Sequence, residues 1–209
     1  MNSPVDTKSR ILDFAEQLFS ADGVDRVSIR DITDAAEVNI AAVNYHFGGK
    51  DELIAAVFDR RLKPLNQARI DAIVEVERVA AAGDKAPKVE AVLEAFVVPT
   101  ISCCADGGKG GSAFEKLIGR CLAEPRPEIE SLLKRQFDPL VEVLHGALVK
   151  ACPHLSRTEI FWRMKFTFGA LHHWLLTRAR FLPPWVEDTT LEEQMTKLIR
   201  FAAAGFKAR

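Results

Sequence analysis

The stretch Ser28-Ile29-Arg30-Asp31-Ile32-Thr33-Asp34-Ala35-Ala36-Glu37-Val38-Asn39-Ile40-Ala41-Ala42-Val43-Asn44-Tyr45-His46-Phe47-Gly48-Gly49-Lys50 decides the fold. Ser28 stands before a helical run and Asp31 follows three residues on. In that pattern the serine oxygen takes a backbone N–H and the carboxylate returns the bond. Asn39 is a second start signal, opening a very short helix that runs to about His46. The result is two helices of about nine and eight residues around Ala36-Glu37-Val38, the proportions of a helix-turn-helix. Ile32, Ala35, Val38, Val43 and Phe47 form the small core expected to lock them together.

Outward from this stretch the periodicity stays helical, and period-two alternation is scarce. Upstream, Ile11, Leu12, Ala15, Leu18 and Phe19 share one face of a helix that Thr7 can cap and Gly23 can end. Downstream, Lys50 and Asp51 open a helix carrying Leu53, Ile54, Val57, Phe58 and Leu62 toward Pro64, where a kink or a division is expected. Further helices are expected over 65–82, 87–100, 113–123, 127–151 (bent at Pro139), 157–181 and 190–206. Residues 102–112, with four glycines, read as a mobile loop. The fold class is therefore all-α. An N-terminal three-helix helix-turn-helix DNA-binding domain is expected over 1–55, and a helical ligand-binding and dimerisation domain over 56–209.

Composition excludes several other classes. The 209-residue chain is 48% hydrophobic and 27% charged, ordinary for a soluble globular protein. It has no run of about 18 uncharged apolar residues, so no membrane partner is expected. Met1–Arg10 is polar and lacks the apolar region of a secretion signal, which makes a cytoplasmic location the expectation. Cys103 and Cys104 are adjacent while Cys121 and Cys152 stand alone. Free thiols fit that pattern, and a redox or metal role is the alternative. Net charge is −1, and the first fifty residues hold five basic side chains against eight carboxylates. DNA binding must then rest on locally placed donors.

The exposed side of the third helix offers such donors. Asn39 and Asn44 can bond adenine bidentately, and the small side chains of Ala41 and Ala42 permit close approach and contact with a thymine methyl. Tyr45, His46 and Lys50 suit phosphate oxygens, and the N-terminus of the fourth helix beside Lys50 favours an anion. The alternative for such a turn is an ordinary solvated surface.

The segment Arg10–Leu53 resembles the N-terminal domain of the tetracycline-repressor (TetR) family. The residues that carry the resemblance are Ile11-Leu12, Ala15, Leu18-Phe19, Gly23, Ser28-Ile29-Arg30-Asp31-Ile32, Val38 and Tyr45-His46-Phe47-Gly48-Gly49-Lys50-Asp51-Glu52-Leu53. More narrowly, Val38–Phe47, Glu159–Arg163 with Phe168-Gly169-Ala170, and Phe201–Gly205 are similar to a branch containing fatty-acid-responsive repressors. The resemblance implies that Arg30 can reach a base from the second helix and that Ala42 and Asn44 face bases. It also implies that Ser28, Tyr45, His46 and Lys50 contact the DNA backbone. Two positions depart from the pattern. Asn44 stands where many relatives carry Tyr, and Glu37 replaces the usual turn glycine. A non-glycine residue at positive φ would cost on the order of 1 kcal/mol.

In the C-terminal half, Glu159–Arg180 is apolar on two faces. Phe161, Met164, Phe168, Leu171 and Leu175 make one; Trp162, Phe166, Ala170, His173 and Thr177 make the other. Two apolar faces need two packing partners. The last helix has a similar surplus. A homodimer is thus expected through Trp162, Phe166, Ala170, His173, Leu191, Met195, Leu198 and Ala202, a four-helix arrangement the resemblance also implies. The alternative buries both faces within one chain. Phe96, Phe114, Leu117, Phe137, Leu140, Val141, Leu144, Phe168 and His172 are the candidate wall of a ligand cavity, with simple core as the alternative. His172 and His173 are adjacent and point about 100° apart, so they cannot chelate one ion together, and no metal or other cofactor is expected. No nucleophile–base constellation is legible, so the chain is not expected to be an enzyme. The function expected is a repressor released from a palindromic operator by a small apolar effector, such as a fatty acid or acyl thioester. The alternative is a same-fold DNA-binding protein without an effector, acting architecturally or through a protein partner.

Overall fold

The computed structural model describes residues 4–105, 111–123, 126–177, 183–187 and 189–209. Among these residues every regular element is an α-helix: α1 (Pro4–Asp22), α2 (Ile29–Ala35), α3 (Ile40–Phe47), α4 (Lys50–Ala82), α5 (Val89–Ala105), α6 (Gly111–Ala123), α7 (Pro127–Ala151), α8 (Arg157–Thr177) and α9 (Leu191–Lys207). The all-α expectation holds. Several boundaries differ from it. Thr7 lies inside α1 and does not cap it. Helix α4 runs unbroken through Pro64, and α7 contains Pro139. Pro64 is exposed, so the backbone bond it removes is lost on the solvent side, where water can take its place. Residues 102–105 and 111–112, expected in a loop, belong to α5 and α6, and the rest of that loop lies outside the described residues. Positions 178–181 of the expected eighth helix also lie outside them.

The chain packs as two compact units, which group residues differently from a cut at residue 55. The first comprises Met1–Pro64 with Cys104–Gln136; the second comprises Leu65–Cys103 with Phe137–Arg209. In the first unit, Ile11, Ala15, Phe19, Ile32, Val43, Leu53, Val57 and Phe58 are wholly buried. Phe58 meets Phe114 of α6 edge-on, with ring centroids 5.8 Å apart. Helix α6 packs along α1, and Arg120 donates to the carbonyl of Ala21 at 3.1 Å, serving one of the free acceptors at the end of α1. That helix ends on Gly23 at φ +88°, and a Cβ there would meet the Arg120 guanidinium at 3.0 Å. Conformation and close approach both call for glycine.

One ionic cluster ties α1 to α4. Glu16 is buried and accepts from Arg60 at 2.6 Å and Arg61 at 2.9 Å, while Arg60 also reaches Asp13 at 2.6 Å. In the second unit Ile73, Val92, Leu93, Phe96, Leu140, Leu144, Leu148, Ile160, Met164 and Phe206 form the core. Buried beside it, Arg69 lies 4.6 Å from the centroid of the Phe96 ring and donates to the Phe96 carbonyl at 3.1 Å and Thr100 Oγ1 at 2.6 Å. No described helix is long and apolar enough to cross a membrane.

Candidate nucleic-acid interface

The start of α2 is fixed by Ser28, whose extended backbone (φ −89°, ψ 161°) precedes the first helical turn. Its Oγ accepts from Asp31 N–H at 3.2 Å and donates to Asp31 Oδ2 at 2.8 Å, and its own N–H donates to Oδ2 at 2.7 Å. The capping box is therefore reciprocal, as expected. Bonds from the Ser28 amide and hydroxyl, with Lys50 nearby, hold the Asp31 carboxyl below the usual aspartate range. The hydroxyl proton goes to Asp31, so what Ser28 contributes to an anion is a well-formed helix start.

The turn into α3 is a Schellman closure. Val38 N–H donates to the Thr33 carbonyl at 3.0 Å and Glu37 N–H to the Asp34 carbonyl at 3.2 Å. Glu37 has φ 50°, the left-handed region that glycine prefers, as its place in the turn suggested. Arg10 Nη2 on α1 donates to the Glu37 carbonyl at 3.3 Å. Of the expected small core, Ile32 and Val43 are fully buried, while Ala35, Val38 and Phe47 are half-buried. Ala36, the C-cap of α2, is buried too, and the turn runs through Ala36-Glu37-Val38 as expected.

Asn39 caps α3, its Oδ1 accepting from Ala41 N–H at 2.9 Å and leaving the Nδ2 hydrogens outside that bond. With Val43 inside, α3 turns Ile40, Ala41, Asn44 and Tyr45 outward; Tyr45 is 84% exposed. Ala42, His46 and Lys50 are half-buried, and Arg30 on the first turn of α2 is exposed. The His46 ring lies between Tyr45 (5.0 Å) and Phe47 (6.2 Å), both edge-on. Helix α3 stops at Gly48 (φ 96°), and α4 starts at Lys50. Ser28, Arg30, Asn39, Ala41, Ala42, Asn44, Tyr45, His46 and Lys50 thus fall on α2, α3, their N-caps and the first residue of α4. Missing from the sequence-based set are Lys8, 5.7 Å from the Phe47 ring centroid, and Arg10. Both precede the motif in sequence, and spacing within the motif gives no sign of them.

The nine candidate cavity residues are not brought together. Phe114 and Leu117 belong to the first unit because α6 packs along α1. Phe96, Phe137, Leu140, Val141, Leu144 and Phe168 take part in the core packing of the second unit, with Phe96 and Phe168 centroids 5.0 Å apart. His172 also lies in the second unit. A cavity of about 690 Å³ opens elsewhere, lined by Lys88, Glu90, Cys152, His154 and Lys207 among others. Burial raises the Cys152 thiol and pushes the Cys121 thiol up to about 11, which disfavours the thiolate at both.

On the candidate dimer face, Trp162 (51%) and Phe166 (69%) are exposed and stacked, with centroids 6.3 Å apart. His173 is exposed, and Ala170, Leu191, Met195 and Leu198 are half-buried. Ala202 corrects the expectation: it is buried in the core of its own unit. Phe161, on the other expected apolar face of α8, is 43% exposed, and Phe201 at 72% was not in the set. Trp174 Nε1 donates to Gln194 at 2.9 Å and Arg163 to the Ala208 carbonyl at 2.7 Å, fastening α8 to α9.

Comparison with known proteins places these elements. Residues 11–57 match the model of bacterial regulatory proteins of the tetR family, and residues 94–205 match that of the tetracyclin repressor-like C-terminal domain. A probable HTH-type transcriptional regulator, YttP, from Bacillus subtilis (strain 168) is 34% identical over 68 residues, 31% of this chain and 33% of the relative. The HTH-type transcriptional regulator SrpR from Pseudomonas putida is 40% identical over 60 residues, 29% of this chain and 28% of the relative. The matches thus span about a third of these relatives' own length. The fatty acid degradation regulator FadR from Bacillus halodurans superposes with a TM-score of 0.68, covering 100% of both chains at 15% identity, a likeness of fold alone.

Proposed function

The chain belongs to the TetR family of transcriptional regulators, and from that membership we propose that it is a homodimeric repressor, released from a palindromic operator by a small apolar effector. The observation that carries the reading is the outward row of α3. Capped by Asn39 and anchored by the buried Val43, it presents Ala41, Asn44 and Tyr45 to solvent. Asn44 with Ala41 and Ala42, and Arg30 from α2, read base edges; Tyr45, His46 and Lys50 hold the backbone. One short helix reads few bases, so two copies are needed, and half-sites recur at about 34–36 Å or a multiple of it. The protein works in the cytoplasm, on DNA, and is not an enzyme.

The dimer forms through α8 and α9, where Phe161, Trp162, Phe166 and Phe201 leave an aromatic surface that a second copy would cover. The effector is apolar, a fatty acid or its thioester. The Phe- and Leu-rich interior of the second unit supports that class over a sugar or nucleotide, as does the fold shared with a fatty acid degradation regulator. Such a ligand lowers operator affinity only by preferring the DNA-incompetent state, and an inversion from 99:1 to 1:99 needs about 5.5 kcal/mol of preference. The second reading, a regulator without an effector that acts architecturally or through a protein partner, is favoured by the tight burial of Leu140 and Leu144 in the core. Calorimetry across long-chain acids and acyl thioesters, with and without operator, separates the two. Equal or absent binding in both states removes the fatty-acyl effector.

A further inference from the structure

We propose that Arg10 is a positioning residue that holds the α2–α3 turn in its left-handed conformation and so fixes where α3 presents its side chains. The consequence for DNA rests on the reading role just given to α3. In the Schellman closure the residue in Glu37's place must take positive φ. Glycine does so freely, whereas a Cβ crowds the following carbonyl. Glu37, at φ 50°, therefore needs a hold from outside the turn.

Arg10 supplies it from α1. Its Nη2 donates to the Glu37 carbonyl at 3.3 Å, and a carbonyl pinned in direction fixes the peptide plane joining Glu37 to Val38. That plane leads directly into Asn39, the cap of α3. The side chain is half-buried and its Nε is shut away from solvent, so Arg10 lies packed against the motif. Lys8 adds a second grip: its Nζ is 5.7 Å from the centroid of Phe47, the last residue of α3. Helix α1 thus touches the motif just before α3 begins and again where it ends. The glutamate at 37 and the arginine at 10 form one device, and a chain with glycine at 37 has no need of the second.

The test uses the full chain carrying Arg10→Ala, Glu37→Gly, and both, with Arg10→Gln as a milder variant should the alanine chain fail to fold. Two readouts are taken: amide hydrogen exchange at Val38 without DNA, and affinity for the selected operator across a salt series. Losing Arg10 should speed Val38 exchange and weaken the operator by about three- to tenfold. Glu37→Gly alone should leave both near wild type, and the double variant should recover both. A double variant as weak as Arg10→Ala overturns the proposal. So does unchanged Val38 exchange with a salt slope lowered by about one, which would make Arg10 a phosphate contact. If the wild type selects no operator, the regulatory reading fails, while Val38 exchange still decides whether Arg10 holds the turn.

Discussion

Glu16 on α1 is 1% exposed, and its carboxylate accepts from Arg60 on α4 at 2.6 Å. Arg61 closes on the same carboxylate through Nε and Nη2 at 2.9–3.2 Å. A buried charge held this way costs little while paired and much once a partner is removed. Glu16→Ala leaves two guanidinium groups without their shared acceptor. Because Arg60 and Arg61 retain 25% and 31% side-chain exposure, water relieves part of the penalty. A loss of about 2–3 kcal/mol is expected, below that of breaking a fully buried pair. Urea unfolding measures it, and a loss under about 0.5 kcal/mol would show that the cluster is only a surface ornament of α1.

The capping box at Ser28 gives a prediction in pH. Asp31 titrates below its ordinary value because the Ser28 amide and hydroxyl bond its charged form. Lowered in the folded state, this group contributes stability above the unfolded pKa, lost as pH falls through the folded one. A carboxyl-carbon NMR titration of Asp31 should find its midpoint below the usual aspartate range. Ser28→Ala should move that midpoint upward and fray the first turn of α2. An unmoved midpoint in the variant would mean that the Ser28 hydroxyl does not help to hold Asp31, leaving the backbone amide, which alanine keeps, to do so.

Much of this head is legible in sequence, because capping and turn chemistry are local. Ser28 with Asp31, Asn39, Gly23 and the strained Glu37 each follow from a few neighbouring residues. What periodicity cannot give is the partner of an apolar face. The face of α6 carrying Phe114 and Leu117 could have joined either half of the chain, and only packing puts Phe114 against Phe58. For the same reason Glu16 reads as one more surface carboxylate until Arg60 and Arg61, on a distant helix, are brought over it. Proline at 64 misleads in the other direction. It disfavours a helix interior in general, yet α4 passes through it where the position faces water.

Substitutions on α3 and at the start of α4 should separate two kinds of contact. Lys50→Ala should weaken every duplex alike and lower the salt slope by about one. Tyr45→Ala should weaken every duplex alike with little change of slope, since it removes no charge. Asn44→Ala should instead flatten base preference, by about 1–3 kcal/mol at one position of the site. A uniform loss from Asn44→Ala, measured by anisotropy against single-base operator variants, contradicts its base-reading role.

The aromatic face of α8 and α9 predicts the assembly state. Phe166→Asp or Phe201→Asp places a carboxylate in the middle of an apolar seam, which is costly without a partner. Neither side chain supports its own unit's core, since they are 69% and 72% exposed. Each variant should therefore remain folded by circular dichroism and run as a monomer by light scattering. A wild-type chain that is monomeric at micromolar concentration removes the dimer.

The central claim is that α3 reads a particular DNA sequence, and the most direct measurement is selection of genomic fragments by the purified protein, followed by footprinting of the winner. A protected pseudo-palindrome is expected, with half-sites about one helical turn, or a multiple of it, apart. Its affinity should exceed that of random duplex about 10³-fold or more at the same salt. Equal affinity for the selected and the random duplex at matched salt would contradict the claim.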